Sequence, residues 1–129
     1  MFVFIVDLQG FHIFDPADNI NFICRKIAVL NIDTNSFDHK LFLPPYPFSD
    51  LNMKNQKNFL WLSNNYHNLK WTLGNINYDL LNNVTRNMFS CDCKIYVKGD
   101  DKIKWLNNIL GLHKLQIINF ESFRCPSLK

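Results

Sequence analysis

The amino-acid sequence predicts an α/β fold in which a mixed five-stranded sheet, three antiparallel strands followed by two parallel ones, carries flanking helices. Three observations support this fold. An unbroken apolar run opens the chain, two β-rich segments follow it after short connections, and the last third has strand–helix–strand order. With 129 residues, 47% of them hydrophobic, the chain is long enough for one domain over residues 1–129 with a buried core.

The first strand is expected at the centre of the sheet. Residues 1–6 are all apolar, and Asp7 and Gly10 follow them. Because alternation disappears when neither face of a strand meets water, this run predicts a strand that is covered on both faces. Asp7 is then expected where the strand opens to solvent, and there a carboxylate either holds a metal ion or starts a turn.

A meander of two more strands is predicted next. A polar connection over residues 11–21 contains the turn-forming pairs Asp15-Pro16 and Asp18-Asn19. A second strand is expected over residues 22–32, and after a tight loop a third over residues 40–43. Because short connections join neighbouring antiparallel strands, these three strands are expected to form one antiparallel unit.

Two helices are predicted in the middle of the chain. Residues 51–66 have an imperfect helical pattern, and an aromatic-rich loop follows over residues 65–74. Residues 78–89 form a clearer helix, which Asn77 caps. Its apolar face is expected to consist of Leu80, Leu81, Val84 and Met88.

The last third of the chain predicts a right-handed parallel crossover. A strand over residues 95–97 leads to Gly99, which is expected to have a positive φ angle, and then to a helix that Asp100 or Asp101 caps. The helix ends at Gly111, and the final strand is expected over residues 115–120.

Composition and charge place limits on the environment and the partners. The net charge of +3 is compatible with nucleic acid as a partner but does not require it, since the sequence has no basic run. No secretory signal and no apolar stretch of about 20 residues is present, so an intracellular protein without a membrane partner is expected, in the cytoplasm or the nucleus.

The order of these elements resembles the ribonuclease H-like fold, and more narrowly the DEDDh-type 3′–5′ exonucleases, over nearly the whole chain. Residues 6–10 (Val-Asp-Leu-Gln-Gly) resemble the family's first acidic motif, Asp-x-Glu. Residues 66–69 resemble its His-Gly loop, and residues 97–106 resemble its second acidic motif. The chain is also similar to exonuclease-like reading frames of mobile or viral origin. This resemblance implies a site in which four carboxylates hold two Mg²⁺ or Mn²⁺ ions.

The chain departs from the family pattern at the residues that would hold the metal ions. Gln9 stands where the family has Glu, and a neutral amide is a poorer ligand for a hard dication than a carboxylate. Lys102 stands at the position of the second catalytic Asp, where its ammonium group would neutralise Asp7 and repel a metal ion. An alignment shifted by one or two residues offers Asp101 or Asp100 instead. The helix of the third motif is expected to be missing at the C-terminus, because the chain is a fragment or has lost that helix.

The sequence therefore predicts an exonuclease-like domain with a degenerate active site, which binds single-stranded nucleic acid or a protein partner and needs no cofactor. His67, Lys98 and Lys102 are the candidate nucleic-acid contacts. Asp7 is a candidate metal ligand, or else a strand-end acid that pairs with Lys98 or Lys102 or caps a turn at Gly10.

Two other functions stay open. One is an active exonuclease that uses Asp7 and Asp101 with Mg²⁺ or Mn²⁺, and the other is a domain that binds only proteins. Trp61, Trp71 and Trp105 are aromatic side chains of the kind that stack on bases, although the helical phase of Trp105 favours the core.

Overall fold

A computed structural model describes residues 2–14, 20–67, 69–90, 92–111 and 116–119, and only the backbone of Ile20, His67 and Gln116. The strands are β1 (Phe2–Phe14), β2 (Ile20–Asn31), β3 (Ser36–Leu41), β4 (Cys93–Val97) and β5 (Gln116–Asn119). The helices are α1 (Met53–Leu62), α2 (Leu81–Met88) and α3 (Asp100–Leu110). A π-helical turn, Ser63–His67, continues α1, and short 3₁₀ turns lie at Phe48–Asp50 and Tyr78–Leu80.

The five strands form one mixed sheet in the order β3-β2-β1-β4-β5. β1 pairs antiparallel with β2, and β2 pairs antiparallel with β3. β4 is parallel to β1 and to β5, and α3 connects β4 to β5. The predicted α/β fold with three antiparallel strands followed by two parallel ones is confirmed.

The main core lies between one face of the sheet and the helices α2 and α3. Alternate residues of β1 point into it, because successive side chains of a strand lie on opposite faces. The buried cluster consists of Phe4, Val6, Leu8, Cys24, Ile27, Val29, Phe42, Leu81, Phe89, Cys93, Ile95, Val97, Leu106 and Ile109.

The prediction that the first strand is covered on both faces is wrong for its first half. Phe4 and Val6 are buried, but Ile5 is only half-buried and Asp7 is exposed. The apolar run shows that the residues favour a strand, and it does not show how much of each face the rest of the chain covers.

β1 is also longer than predicted. It neither ends at Asp7 nor turns at Gly10, but continues to Phe14, so the predicted connection over residues 11–21 is wrong at both of its ends. Phe11 is buried against Phe59 of α1, with ring centroids 5.2 Å apart. The predicted turn pairs at residues 15–16 and 18–19 lie outside the described residues.

A β-bulge interrupts the β1–β2 ladder beside Gly10. Gln9 pairs with Lys26 and Gly10 pairs with Cys24, so that Arg25 is the extra residue of β2. The backbones approach closely here, because a Cβ atom on Gly10 would lie 1.9 Å from the carbonyl oxygen of Ile23. Glycine at this position therefore permits the bulge instead of forming a turn.

The third strand and the second helix differ from prediction in detail. β3 begins at Ser36, four residues before the predicted strand, because Asn35 adopts a left-handed φ of 56° and closes a tight turn. In α2, Leu80 is not part of the apolar face but is 49% exposed, and the buried position is taken by Thr85. Asn77 does accept a hydrogen bond from a backbone amide, that of Asp79 in the preceding 3₁₀ turn.

The start of α3 is partly as predicted. Gly99 has φ 107°, a conformation that favours glycine, but neither Asp100 nor Asp101 caps the helix with its side chain. β5, Gln116–Asn119, lies within the predicted range. Residues 120–129, where the expectation of a missing C-terminal helix applies, lie outside the described part of the chain. Within that part, no helix is long and apolar enough to cross a membrane.

Candidate functional site

A groove lies along β1 where β4 no longer accompanies it. The pairing of these parallel strands ends at Val6 and Val97, and the described residues place no strand beside this edge of β1 from Asp7 onward. The groove has a volume of about 320 Å³, and we call it the β1-edge groove. It is lined by Asp7, Leu8, Gln9, Gly10, His12, Phe22, Leu62, Tyr66 and Lys102. The carboxyl ends of parallel strands are a common place for binding sites in α/β folds.

Asp7 lies in the middle of β1 and is exposed to the groove. It pairs with Ala28 across the ladder, and its Oδ2 accepts a hydrogen bond of 3.2 Å from Nε2 of Gln9. The two ion pairs found among the described residues, His12–Asp101 and Lys40–Asp38, do not involve Asp7. The expectation of a strand-end acid that pairs with a lysine or caps a turn is therefore wrong.

The structure brings two of the predicted site residues together. Lys102, in the first turns of α3, lines the same groove as Asp7. Lys98 is exposed and lies outside the groove lining. The side chain of His67 is outside the described atoms, although its backbone belongs to the π turn that also holds Tyr66.

Asp101 is held by a residue that the sequence motifs did not single out. Nε2 of His12 donates to Oδ2 of Asp101 over 2.8 Å. Partial burial opposes ionisation of Asp101, but the hydrogen bond from His12, a backbone hydrogen bond and the nearby charges of His12 and Lys102 outweigh it and lower the pKa of Asp101 below 3.8. Asp101 is thus a carboxylate in contact with His12 and not a partner of Asp7.

Asp100 is likewise engaged with a neighbour. Its Oδ1 accepts a hydrogen bond of 2.8 Å from Nδ2 of Asn119 at the end of β5. Asp100 and Asp101 line a second, larger groove of about 1000 Å³ between α3 and the far end of the β1–β2 hairpin. His12 and Phe22 line both grooves, so the two adjoin each other.

The residues of the β1-edge groove do not fit a pair of divalent metal ions. Such a pair needs several carboxylates around it, and the groove offers Asp7 together with the amide of Gln9 and the ammonium of Lys102. In the part of the chain that the structure describes, no three His, Cys, Asp or Glu side chains form a group that could hold a metal ion. Cys24 is no substitute ligand, since burial raises the pKa of its thiol well above the ordinary value.

No family model, curated protein or solved structure matches the chain. The resemblance to DEDDh exonucleases therefore rests on the order of the elements and on the three short motifs. The assignment of a function depends on the local chemistry of the grooves and of the surface beside them.

A lysine-containing, aromatic surface on α1 adjoins the β1-edge groove. We call it the α1 surface, and its exposed side chains are Met53, Lys54, Lys57, Leu60, Trp61 and Tyr66. Tyr66 belongs both to this surface and to the groove lining. Its signal in the sequence is the absence of Asp and Glu between Asp50 and Asp79, a feature that belongs to none of the motifs.

Trp61 and Tyr66 form an exposed ring pair on this surface. Trp61 is 56% and Tyr66 is 72% exposed, and their ring centroids are 5.2 Å apart. The other two tryptophans pack inward, since Trp71 contacts Phe59 with centroids 5.0 Å apart and Trp105 contacts Phe22 at 6.0 Å. Of the three tryptophans, Trp61 is the exposed one, while Trp71 and Trp105 are partly buried and Trp105 lines the larger groove.

Two sets of contacts position α1 beside the groove. The side chain of Asn55 accepts a hydrogen bond from the amide of Phe14 and donates one to its carbonyl oxygen, at 3.1 and 3.2 Å. This contact ties the first turn of α1 to the end of β1. Further along the helix, Phe59 packs between Phe11 and Trp71.

Arg25 holds the loop that carries Trp71. Its side chain is fully buried. Nε donates to the carbonyl oxygen of Phe42, and the two N–H groups of Nη2 are shared among the carbonyl oxygens of Lys70, Trp71 and Leu73. Burial lowers the pKa of Arg25 to about 10, so the guanidinium stays charged at neutral pH. The bulge leaves Arg25 without a partner on β1, and its side chain reaches this loop.

Proposed function

We propose that this protein is a non-catalytic nucleic-acid-binding domain whose binding site consists of the α1 surface and the β1-edge groove. The observation that carries the proposal is the absence of acidic residues between Asp50 and Asp79, in a segment whose lysines 54, 57 and 70 are exposed. A segment that carries exposed lysines and no acidic residue attracts phosphate groups, and the release of counterions drives such binding.

Lys102 has a specific role in this proposal. It lines the groove together with Asp7, at the place where an exonuclease of the family that the chain resembles would hold a metal ion. A fixed ammonium group supplies positive charge for a phosphate without any hydrolytic chemistry. Gln9 stands where the exonuclease motif has Glu, so the groove has one carboxylate fewer. Its side-chain amide donates a hydrogen bond to the remaining carboxylate, that of Asp7.

The binding test is the fluorescence anisotropy of labelled single-stranded oligonucleotides. For three phosphate contacts, the affinity should fall roughly twentyfold between about 50 mM and about 200 mM salt. Lys102→Met should weaken binding and reduce the slope of log K against log salt by about 0.7, because one phosphate contact is lost. Lys40→Met is the matched control, since Lys40 lies on β3 beside Asp38 and should leave binding unchanged.

Two results would contradict the proposal. Undetectable binding at low salt would favour a domain that contacts only proteins. Shortening of a 3′-labelled strand with Mg²⁺ or Mn²⁺, abolished by Asp7→Asn, would instead establish an active exonuclease.

A further inference from the structure

The contact between Trp61 and Tyr66 depends on an irregularity at the end of α1. In a regular α-helix, residues five apart point in directions about 140° from each other, since each residue turns by 100°. Here Ser63–His67 forms a π-helical turn, in which one turn takes up an additional residue. The wider turn brings Tyr66 back to the side of Trp61, and Nδ2 of Asn65 supports it by donating to the carbonyl oxygen of Trp61 over 2.8 Å.

This ring pair does not hold the helix to the protein. Phe59, on the other side of α1, makes the packing contacts to Phe11 and Trp71 and is almost fully buried. Trp61 and Tyr66 therefore leave a large aromatic area in water without contributing to the core. Exposed aromatic groups in contact with one another are a feature of binding surfaces.

Positive charge lies on both sides of the ring pair. Lys57 is four residues before Trp61 and so is its neighbour on the same helix face. Tyr66 lines the β1-edge groove together with Lys102. A nucleic-acid strand has regularly spaced phosphates and flat bases, so it matches this order of lysine, aromatic pair and lysine.

We propose that Trp61 and Tyr66 form a stacking platform for a base of single-stranded nucleic acid, with Lys57 and Lys102 in contact with the flanking phosphates. This inference rests on the proposed function and specifies its ligand. A base within a duplex has both of its faces covered by neighbouring bases, whereas an unpaired base offers a face to an aromatic ring. The platform therefore selects single strands over duplexes.

The test compares three ligands with about the same number of phosphates: a single-stranded oligonucleotide, an abasic strand of equal length and a blunt duplex of half that length. The wild-type protein should bind the single strand about tenfold or more tighter than the abasic strand or the duplex. The double variant W61L/Y66L should bind the single strand and the abasic strand equally. Phe37→Leu removes another exposed aromatic ring, 64% exposed on β3, and should leave the preference unchanged.

The outcomes separate this inference from the proposed function. If the wild-type protein binds neither strand, both fail. If it binds the single strand and the abasic strand alike, or if W61L/Y66L keeps the preference, the platform is wrong and nucleic-acid binding stands. Tyr66→Leu alone, with folding checked by circular dichroism, serves if the double variant does not fold. Quenching of tryptophan fluorescence by the single strand, lost in Trp61→Leu, would report the stacking directly.

Discussion

At the level of single residues, Gln9 determines whether the β1-edge groove has one carboxylate or two. It lies two positions after Asp7 on the same face of β1, and its amide nitrogen is 3.2 Å from Oδ2 of Asp7. A glutamate at this position would place two carboxylates close together, and only a bound cation would make that arrangement favourable.

Gln9→Glu should therefore make the stability of the protein dependent on a divalent cation. Repulsion between the two carboxylates should lower the melting temperature by about 3 °C at neutral pH, and Mn²⁺ should restore it. Thermal melts with and without Mn²⁺ measure the effect. The double variant D7N/Q9E lacks the second negative charge and should not respond. An equal Mn²⁺ response in the wild-type protein would contradict this prediction.

Sequence spacing could place some of the site residues and not others. The resemblance to the exonuclease motifs implies that Asp7 and Lys102 share one site, and both line the β1-edge groove. The partner of Asp101 could not be predicted, since His12 is 89 residues away along the chain and their contact depends on the length of the β1–β2 hairpin.

The β1–β2 hairpin shows why the element boundaries near the site were wrong. Beyond the bulge, Phe11 faces α1 and His12 faces α3, so side chains on both faces of this half of the hairpin make contacts. Side-chain polarity then does not alternate along the strand, and Gly10 was interpreted as the beginning of a turn.

The contact between His12 and Asp101 connects this hairpin to the N-terminus of α3. His12→Ala should raise the pKa of Asp101, because the hydrogen bond from His12 opposes the effect of burial. Since the pKa of Asp101 is lowered in the folded state, its stabilising contribution is present above pH 3.8 and is lost as the pH falls through the lowered value.

A carboxyl-carbon NMR titration measures the pKa of Asp101 in both proteins. His39→Ala is the control, since the ring of His39 contacts Phe37 on β3 and should leave Asp101 unaffected. An unchanged pKa in His12→Ala would show that the hydrogen bond is not formed in solution.

For the molecule as a whole, Arg25 connects parts of the chain that are far apart in sequence. Its four carbonyl partners join β2 to the residue after β3 and to the loop at residues 70–73. Without the guanidinium, the buried carbonyl group of Phe42 and the partly buried ones of the loop lose their donor, and the aromatic cluster around Trp71 loses its support.

Arg25→Met should lower the free energy of unfolding by roughly 2–4 kcal/mol. Arg86→Met is a suitable comparison, because exposed Arg86 donates one hydrogen bond, to the carbonyl oxygen of Ile109, and should cost less than about 1 kcal/mol. Urea unfolding measures both variants. Equal losses would mean that the four-carbonyl contact does not stabilise the fold.

The architecture was predictable from the sequence to the extent that connection lengths determine it. Short loops fixed the antiparallel meander, and the strand–helix–strand unit fixed the parallel pairs. The α1 surface was not predicted, because no sequence motif marks it. Its features are the lack of acidic residues in the segment and the exposure of aromatic side chains. Its position depends on contacts such as that between Asn55 and Phe14, 41 residues apart.

The extra residue at the bulge has a consequence for exchanging segments between proteins. Side chains of a strand alternate with a period of two, so pairing Arg25 with β1 in a regular ladder, instead of leaving it as the extra residue, would rotate every residue before it by one position. Phe22, which lines both grooves, would then turn to the opposite face of the hairpin. A chimera that replaces the hairpin tip therefore has to keep Arg25 as an unpaired position, or the grafted side chains will be out of phase with the core.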